Sequence, residues 1–235
     1  MKLQQFMDVS QSDDLPTFQQ RLLGFANALD FGLVNATVVV DRPGKESVFL
    51  SVNNTPPEFS EASNLEMSKR DPVLQRLKRQ STPFAYDQTF YVVKDAADMW
   101  EIQAAHGYRT GLAVALHLSN RRHFLLGMDR ETPLPKGDEE VTTLLASLQL
   151  LAVHAQDAAL RLIGVQSALE EDPKLTAREK EILRWTMEGK TAWEVAQILT
   201  MSEHTVNFHL RNAQKKLHAS SKHQAVLRAL ALGIL

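Results

Sequence analysis

Two copies of one helix-start signal, in the last quarter of the chain, constrain its fold more than any other feature. Both have the form Thr-x-x-Glu, at Thr176–Glu179 and at Thr191–Glu194. In this capping box the Thr hydroxyl accepts a hydrogen bond from a free backbone N–H, and the Glu reaches back to the backbone of the Thr. Gly189 lies where a helix that ends near Glu188 needs a residue with positive φ. The spacing therefore predicts one helix ending near Glu188 and a second over Ala192–Leu199.

A third helix is predicted from Ser202 to Leu217, after a short turn, and a fourth over Lys222–Leu232. Apolar residues of the third helix recur at i, i+4, i+7 and i+11, so they share a narrow arc and form a buried stripe. The members of this stripe are Val206, Leu210, Ala213 and Leu217. The opposite arc carries His204, Phe208, Arg211 and Lys215, with Asn207 at its flank.

This polar arc suits the major groove of DNA. Arg211 can pair bidentately with guanine, Asn207 with adenine, and Phe208 can contact a thymine methyl group. Two helices joined by a tight turn, of which the second exposes such a face, predict a helix-turn-helix domain. The alternative is a structural bundle with a charged face, which would seldom expose Phe beside amides and cations. Polar groups at the edges are expected to hold phosphates without reading sequence: Lys190, Thr191, Thr205, Lys216 and Lys222.

The charge of the chain is divided unevenly along its length. Residues 174–235 contain ten Lys and Arg against five Asp and Glu, although the whole chain has a net charge of −2. The remainder is correspondingly acidic, with 16 basic and 23 acidic residues. A basic module joined to an acidic one indicates that only the C-terminal part meets a polyanion.

Helices alternate with short strands before residue 164. Two β-branched runs flank the turn residues 42–45 and predict a hairpin, and a second hairpin is predicted over Leu112–Met128. The remaining predicted elements are a strand over Thr82–Tyr86 and helices over Leu15–Leu29, from Asp71, over Ala96–His106 and over Asp138–Leu162. The pattern predicts an α+β fold, with helices on both faces of an antiparallel sheet and an all-α four-helix domain after it. The long last helix either covers the sheet alone or also forms a dimer surface.

A polar, Pro-containing stretch marks the domain boundary. We predict a ligand-sensing domain over residues 1–163, a linker over 164–174 and the DNA-binding domain over 175–235.

The C-terminal stretch LTAREKEILRWTMEGKTAWEVAQILTMSEHTVNFHLRNAQKKLH, continuing to the end of the chain, resembles the DNA-binding domain of the LuxR family. Glu179, Leu183 and Gly189 form a triplet that family members share. The resemblance implies a four-helix DNA-binding fold that works as a dimer. The segments NTPPEF, RDPVLQRL, TPFAYD and HGYRTGLAVAL, in that order, resemble the autoinducer-binding domain of quorum-sensing regulators. That domain is an α/β/α sandwich that encloses an N-acyl homoserine lactone.

The resemblance implies that Asp71 accepts a hydrogen bond from a ligand amide, although Asp-Pro also starts a helix well without any ligand. At three further positions the sequence departs from autoinducer receptors. Thr55 and Phe59 stand where those receptors carry Tyr and Trp, and Tyr86 stands where they carry a second Trp. Phe has no N–H for the lactone carbonyl, and an unsatisfied buried carbonyl costs roughly 1 to 3 kcal/mol. A standard lactone should then bind about 5- to 150-fold more weakly. We expect another small molecule, or a lactone in an altered pose.

The sequence gives no sign of chemistry of its own. It has no cysteine, and His106, His117 and His123 lack a metal-ligand spacing, so we expect neither an enzyme nor a cofactor. No signal peptide or membrane-length apolar run is recognisable, and a cytoplasmic location is expected. The expected partners are double-stranded DNA, a small-molecule signal, a second copy of the chain and RNA polymerase.

These observations predict a ligand-responsive transcription regulator that binds a pseudo-palindromic operator as a dimer. A first alternative is a ligand-independent regulator whose N-terminal domain serves dimerisation or protein contact. A second makes that domain an enzyme acting on a signal molecule, although no nucleophile–base arrangement or phosphate-binding loop supports it.

Overall fold

The computed structural model describes residues 2–42, 46–62, 69–163 and 173–235, and the chain divides into two compact units. The first unit contains a five-stranded antiparallel sheet of order β2-β1-β5-β4-β3. Its strands are β1 (Leu33–Val40), β2 (Val48–Asn53), β3 (Phe84–Tyr86), β4 (Thr110–His117) and β5 (Arg122–Arg130).

Helices cover both faces of this sheet. The helices of this unit in the described residues are α1 (Leu3–Ser10), α2 (Leu15–Ala28), α3 (Pro57–Ala62), α4 (Pro72–Leu77), α5 (Gln88–Val93), α6 (Ala97–Ala104) and α7 (Asp138–Leu162). Five consecutive residues of β4, Gly111–Ala115, are buried. Because successive side chains of a strand point to opposite faces of the sheet, both faces must be covered here. Helices α4, α5 and α6 pack with Ala113 and Ala115, and α7 lies against β1, β4 and β5 with α1 packed on it.

Over residues 173–235, the second unit contains four helices around one small apolar core. They are α8 (Ala177–Met187), α9 (Ala192–Leu199), α10 (Glu203–Lys216) and α11 (Lys222–Ala231). The predicted stripe of α10 is buried in this core together with Ile182, Leu183 and Val195. Both capping boxes form, and Gly189 takes a φ of +81° directly after α8.

The predicted α+β class, with an antiparallel sheet followed by an all-helical unit, is confirmed. The predicted strands and helices are present with ends shifted by a few residues. Helices α1, α3 and α5 were not predicted. The hairpin-turn residues 43–45 and residues 164–172 of the proposed linker lie outside the described residues, and the domain boundaries remain a prediction.

Helix α7 covers the sheet with Leu148 and Leu151 and exposes Leu150 and Val153 on its other side. The structure therefore shows that α7 covers the sheet, and whether it also forms a dimer surface stays a prediction. Within the described ranges, no helix has both the length and the hydropathy that a bilayer-spanning segment needs.

Candidate functional site

A cavity of about 240 Å³ lies in the first unit, over the sheet face that α4 and α6 cover. One face of the sheet forms its floor. The floor residues are direct cross-strand partners: Asn35 pairs with Gly127, Gly127 with Ala113, Tyr86 with Gly111, and Gly111 with Asp129. Helix residues close the other side. The polar lining residues are Asn35, Thr37, Asp71, Tyr86, Tyr91, Gln103, Tyr108 and Asp129.

Asp71 lines this cavity and also caps α4. Its Oδ1 accepts from the backbone N–H of Val73 at 2.8 Å and of Leu74 at 3.4 Å, with Pro72 at the first helical position. The hydroxyl of Tyr91 lies 3.5 Å from the same Oδ1 and 3.0 Å from Oε1 of Gln103. Burial raises the pKa of Asp71, and the hydrogen bonds act against that shift. Capping and facing the cavity therefore coexist, since a carboxylate has several acceptor positions.

A second carboxylate, Asp129, lies in the same cavity and was not predicted. It is 4% exposed, and the hydroxyl of Tyr86 donates to its Oδ1 at 2.6 Å. Burial raises the pKa of Asp129 to about 7, with a smaller contribution from repulsion by Asp71. A Cβ at position 111 would lie 2.4 Å from the Tyr86 hydroxyl and 2.5 Å from Oδ1 of Asp129. The hydrogen-bonded pair thus occupies space that exists only because residue 111 is glycine.

No cation faces these two acids within the described part of the cavity wall, whose lining residues include no Lys, Arg or His. Arg130 follows Asp129 in the sequence, and its side chain lies on the opposite face of β5. Its guanidinium pairs with Asp30 at 3.2 Å and lies 5.0 Å from the ring centre of Phe31. The cavity is therefore acidic as well as partly apolar.

Three of the four predicted ligand-binding residues line the cavity: Phe59, Asp71 and Tyr86. Thr55 does not line it, and its hydroxyl instead accepts from Tyr108 at 2.9 Å. Phe59 packs on Tyr108, with ring centres 4.7 Å apart. Sequence reasoning missed Asp129. Its side chain points into the cavity because of the register in which β5 pairs with β1 and β4, and its partner residues in those strands are distant from it in the sequence.

The helix-turn-helix of the second unit is formed by α9, a turn at Thr200 and α10. Thr200 takes the left-handed conformation that ends α9, and Ser202 caps α10 by accepting from the N–H of Thr205 at 3.1 Å. The outer side of α10 faces solvent: Phe208 is 55% exposed, and His204, Arg211 and Lys215 are exposed. Asn207 is half-buried.

The predicted phosphate-holding residues are partly engaged within the unit. Thr191 caps α9 and donates to Glu194, and Lys190 lies 4.0 Å from the same carboxylate. The hydroxyl of Thr205 is hydrogen bonded to Ser202. Lys190, Thr191 and Thr205 nevertheless remain at the surface, where a phosphate could replace their present hydrogen-bond and ion-pair partners.

Lys216, also predicted at a phosphate, is engaged with an acidic side chain of its own unit. It forms an ion pair with Glu179, with its Nζ 2.8 Å from Oε2, and Glu179 is only 3% exposed. Burial would raise the pKa of Glu179, but hydrogen bonds from Lys216 and from the backbone of Thr176 lower it. An exposed indole that sequence reasoning missed, Trp193, stands in the first turn of α9.

A cavity in one unit and a helix-turn-helix in the other are together typical of one class of protein, the transcription regulators that carry a separate ligand-binding domain. Residues 173–229 match the luxR family of bacterial regulatory proteins, and residues 15–159 match the autoinducer binding domain. The chain belongs to the LuxR family of transcription regulators with an autoinducer-binding domain. Both domains, and the relatives below, are those of regulators and not of enzymes.

The chain is similar to the regulatory protein SdiA of Escherichia coli, with 40% identity over 60% of this chain and 58% of SdiA, less than two thirds of that protein's length. It is 30% identical to the transcriptional activator AnoR of Acinetobacter nosocomialis, over 71% of this chain and 70% of AnoR. A crystal structure of Escherichia coli SdiA superposes with a TM-score of 0.77 and 29% identity, covering 98% of this chain and 96% of SdiA. An SdiA complex with octanoyl-rac-glycerol gives a TM-score of 0.76 at 28% identity, over 98% and 93% of the two chains.

Proposed function

We propose that this regulator binds a small-molecule signal in the cavity of the first unit and binds a pseudo-palindromic operator as a homodimer. The half-sites would lie about 10 base pairs apart, centre to centre, or a multiple of that distance. DNA is the proposed partner of the surface formed by His204, Asn207, Phe208, Arg211 and Lys215, with Lys190, Thr191 and Thr205 at phosphates. We place the protein in the cytoplasm with its DNA, with RNA polymerase as the downstream partner, and keep domain boundaries at residues 163 and 175.

The outward face of α10 is the observation that carries the DNA-binding proposal. Phe208, Arg211 and Lys215 are all exposed on this face, so an apolar ring, a guanidinium and an ammonium face the solvent together. Insertion into a major groove uses all three: the guanidinium at a base edge, the ring at a methyl group and the ammonium at a phosphate.

The signal-binding proposal rests on the cavity and on one relative. The SdiA complex contains octanoyl-rac-glycerol, a small molecule with an apolar chain and a polar head. The cavity of this chain likewise combines apolar residues such as Leu77 and Met99 with the carboxylate of Asp71. A ligand that binds only the folded unit would stabilise it by mass action.

Arg211→Ala tests the groove assignment. The variant should lose sequence-specific protection of its operator in footprinting but keep weak, salt-sensitive DNA binding, because phosphate contacts remain. A matched control is Arg184→Ala, which removes an exposed Arg from α8 in the same unit. Normal protection by the Arg211 variant would overturn the assignment.

A further inference from the structure

The hydroxyl groups around the cavity already donate to acceptors of the protein itself. Tyr86 donates to Asp129 at 2.6 Å, Tyr91 to Gln103 at 3.0 Å and Tyr108 to Thr55 at 2.9 Å. On β1, Thr37 donates to Oδ1 of Asn35 at 2.7 Å. Each hydroxyl has one proton, so the hydroxyls of this wall have none left for a ligand carbonyl. Among the described lining residues, the amide N–H groups of Asn35 and Gln103 are the other side-chain donors.

The strongest of these acceptors are the two carboxylates. In the part of the chain that the structure describes, Tyr86 is the side chain hydrogen bonded to Asp129, and that bond uses Oδ1. Asp71 lies near enough for its charge to act on Asp129. Buried carboxylates are normally paired with a cation, because an unpaired one loses its hydration without compensation, and the described cavity wall supplies no cation.

We propose that the ligand supplies the missing cation: the cavity selects a small organic molecule with a protonated amine, which lies between Asp71 and Asp129. This assignment rests on the proposed signal-binding function and specifies its ligand class. An ammonium group has three donors and no acceptor, so it matches a wall whose hydroxyl protons are already used. The apolar residues of α4 and α6 would take a short hydrocarbon portion of the same molecule.

The volume of the cavity limits the ligand's size. At about 240 Å³ it lies below the common range for ligand pockets, roughly 300 to 1,000 Å³. A short acyl chain with a compact polar head therefore fits better than a long-chain lipid.

The rival assignment keeps Asp129 protonated and uses it as a hydrogen-bond donor to a neutral ligand. The two assignments predict opposite responses to pH. The titratable groups facing Asp129 are Tyr86, Tyr91, Tyr108 and Asp71, and only the two carboxyls ionise below about pH 9. Lowering the pH from about 8 to about 6 should weaken binding of a cation by up to about tenfold, because Asp129 must first lose its proton. A neutral ligand that accepts from Asp129 would instead bind more tightly.

Two probes of nearly equal size test the assignment: N-hexanoyl ethylenediamine, which ends in an ammonium group, and N-hexanoyl ethanolamine, which ends in a hydroxyl. Both keep an amide for Asp71. Titration calorimetry on the full-length protein should show at least about tenfold tighter binding of the ammonium probe, since charge-assisted hydrogen bonds are the stronger ones. Asp129→Asn keeps the side-chain shape and the acceptor for Tyr86, and it should abolish most of that preference. Asp157→Asn, which removes an exposed carboxylate from α7, should leave it unchanged.

The outcomes separate this assignment from the proposed function. Equal or tighter binding of the hydroxyl probe or of N-hexanoyl homoserine lactone would overturn the cationic ligand and leave signal binding intact. Saturable binding of the ammonium probe with no change in operator affinity would keep the ligand class but count against signal sensing. No saturable binding of any of the three probes would overturn both.

Discussion

At the scale of single residues, Asp129 is a position where folding changes the acidity of a side chain. The carboxyl titrates near 3.8 when solvated, and burial raises its pKa to about 7. The folded protein therefore holds this proton more tightly than the unfolded chain. The free energy of unfolding therefore depends on pH. It is greatest where the carboxyl is protonated in both the folded and the unfolded state, and it falls as the pH rises from about 4 to about 7.

Asp129→Asn should remove this pH-dependent loss, because an amide stays neutral throughout. We expect the unfolding free energy of the ligand-free variant to exceed that of the parent by about 2 to 4 kcal/mol at about pH 8, and to approach it near pH 4. Urea unfolding at a series of pH values measures the difference, with Asp157→Asn as the control. A constant offset at every pH would show that the carboxyl does not titrate as stated.

Gly111 and Gly127 are neighbouring glycines in β4 and β5 that differ in the space around them. A Cβ at Gly111 would lie within 2.5 Å of Tyr86 and Asp129, whereas a Cβ at Gly127 would meet only the carbonyl of Leu112 at 3.8 Å. We expect Gly111→Ala to destabilise the first unit by about 1 to 3 kcal/mol through overpacking, and Gly127→Ala to cost less. Thermal unfolding of both variants compares them, and equal melting temperatures would contradict the steric argument.

At the scale of elements, the helices of the second unit were predictable because residues close together in the sequence determine where each helix begins and ends. Each capping box fits within four residues, and Gly189 ends α8 through its own backbone preference. In the first unit, α1, α3 and α5 are only six to eight residues long. Helices this short are marginal alone, so tertiary packing decides whether they form. Phe59, Asp71 and Tyr86 were recovered because each stands in a short segment that resembles the autoinducer-binding domain. Asp129 was missed because strand register, and not a local signal, turns it into the cavity.

The ion pair of Lys216 and Glu179 ties the end of α10 to the start of α8. Lys216→Met should leave a buried carboxylate without its cation and destabilise the second unit by about 1 to 3 kcal/mol near neutral pH. The pKa of Glu179 is lowered in the folded protein, so this stabilisation exists above the unfolded pKa and is lost as the pH falls through the folded one.

Combining Lys216→Met with Glu179→Gln tests the reason for that loss. Gln can still complete the capping box and carries no charge. The double variant should therefore recover part of the stability lost in Lys216→Met, as measured by thermal unfolding at about pH 7. If the two substitutions prove simply additive, the pair does not act as one unit.

At the scale of the whole molecule, α11 exposes an apolar face, and we predict that the proposed dimer forms through it. Leu227 is 65% exposed and Leu230 is 44% exposed, and their three-residue spacing puts them on one side of the helix. Leu227→Glu should shift sedimentation equilibrium toward monomer and weaken operator binding, while the monomer keeps salt-dependent affinity for any DNA. Val93→Glu, at an exposed apolar position of the first unit, is the matched control. Undiminished dimer formation by the Leu227 variant would place the dimer contact elsewhere.

The interlocked trio of Gly111, Tyr86 and Asp129 also limits how this receptor can be redesigned. A tryptophan at position 86 would bring a bulkier ring into space that now fits one phenol against one carboxylate, and it would leave that carboxylate without its donor. Installing a lactone-type pocket therefore requires exchanging residues 86 and 129 together. A biosensor made from this scaffold therefore cannot exchange Tyr86 alone, because that single step would disturb both the packing against Gly111 and the hydrogen bond to Asp129.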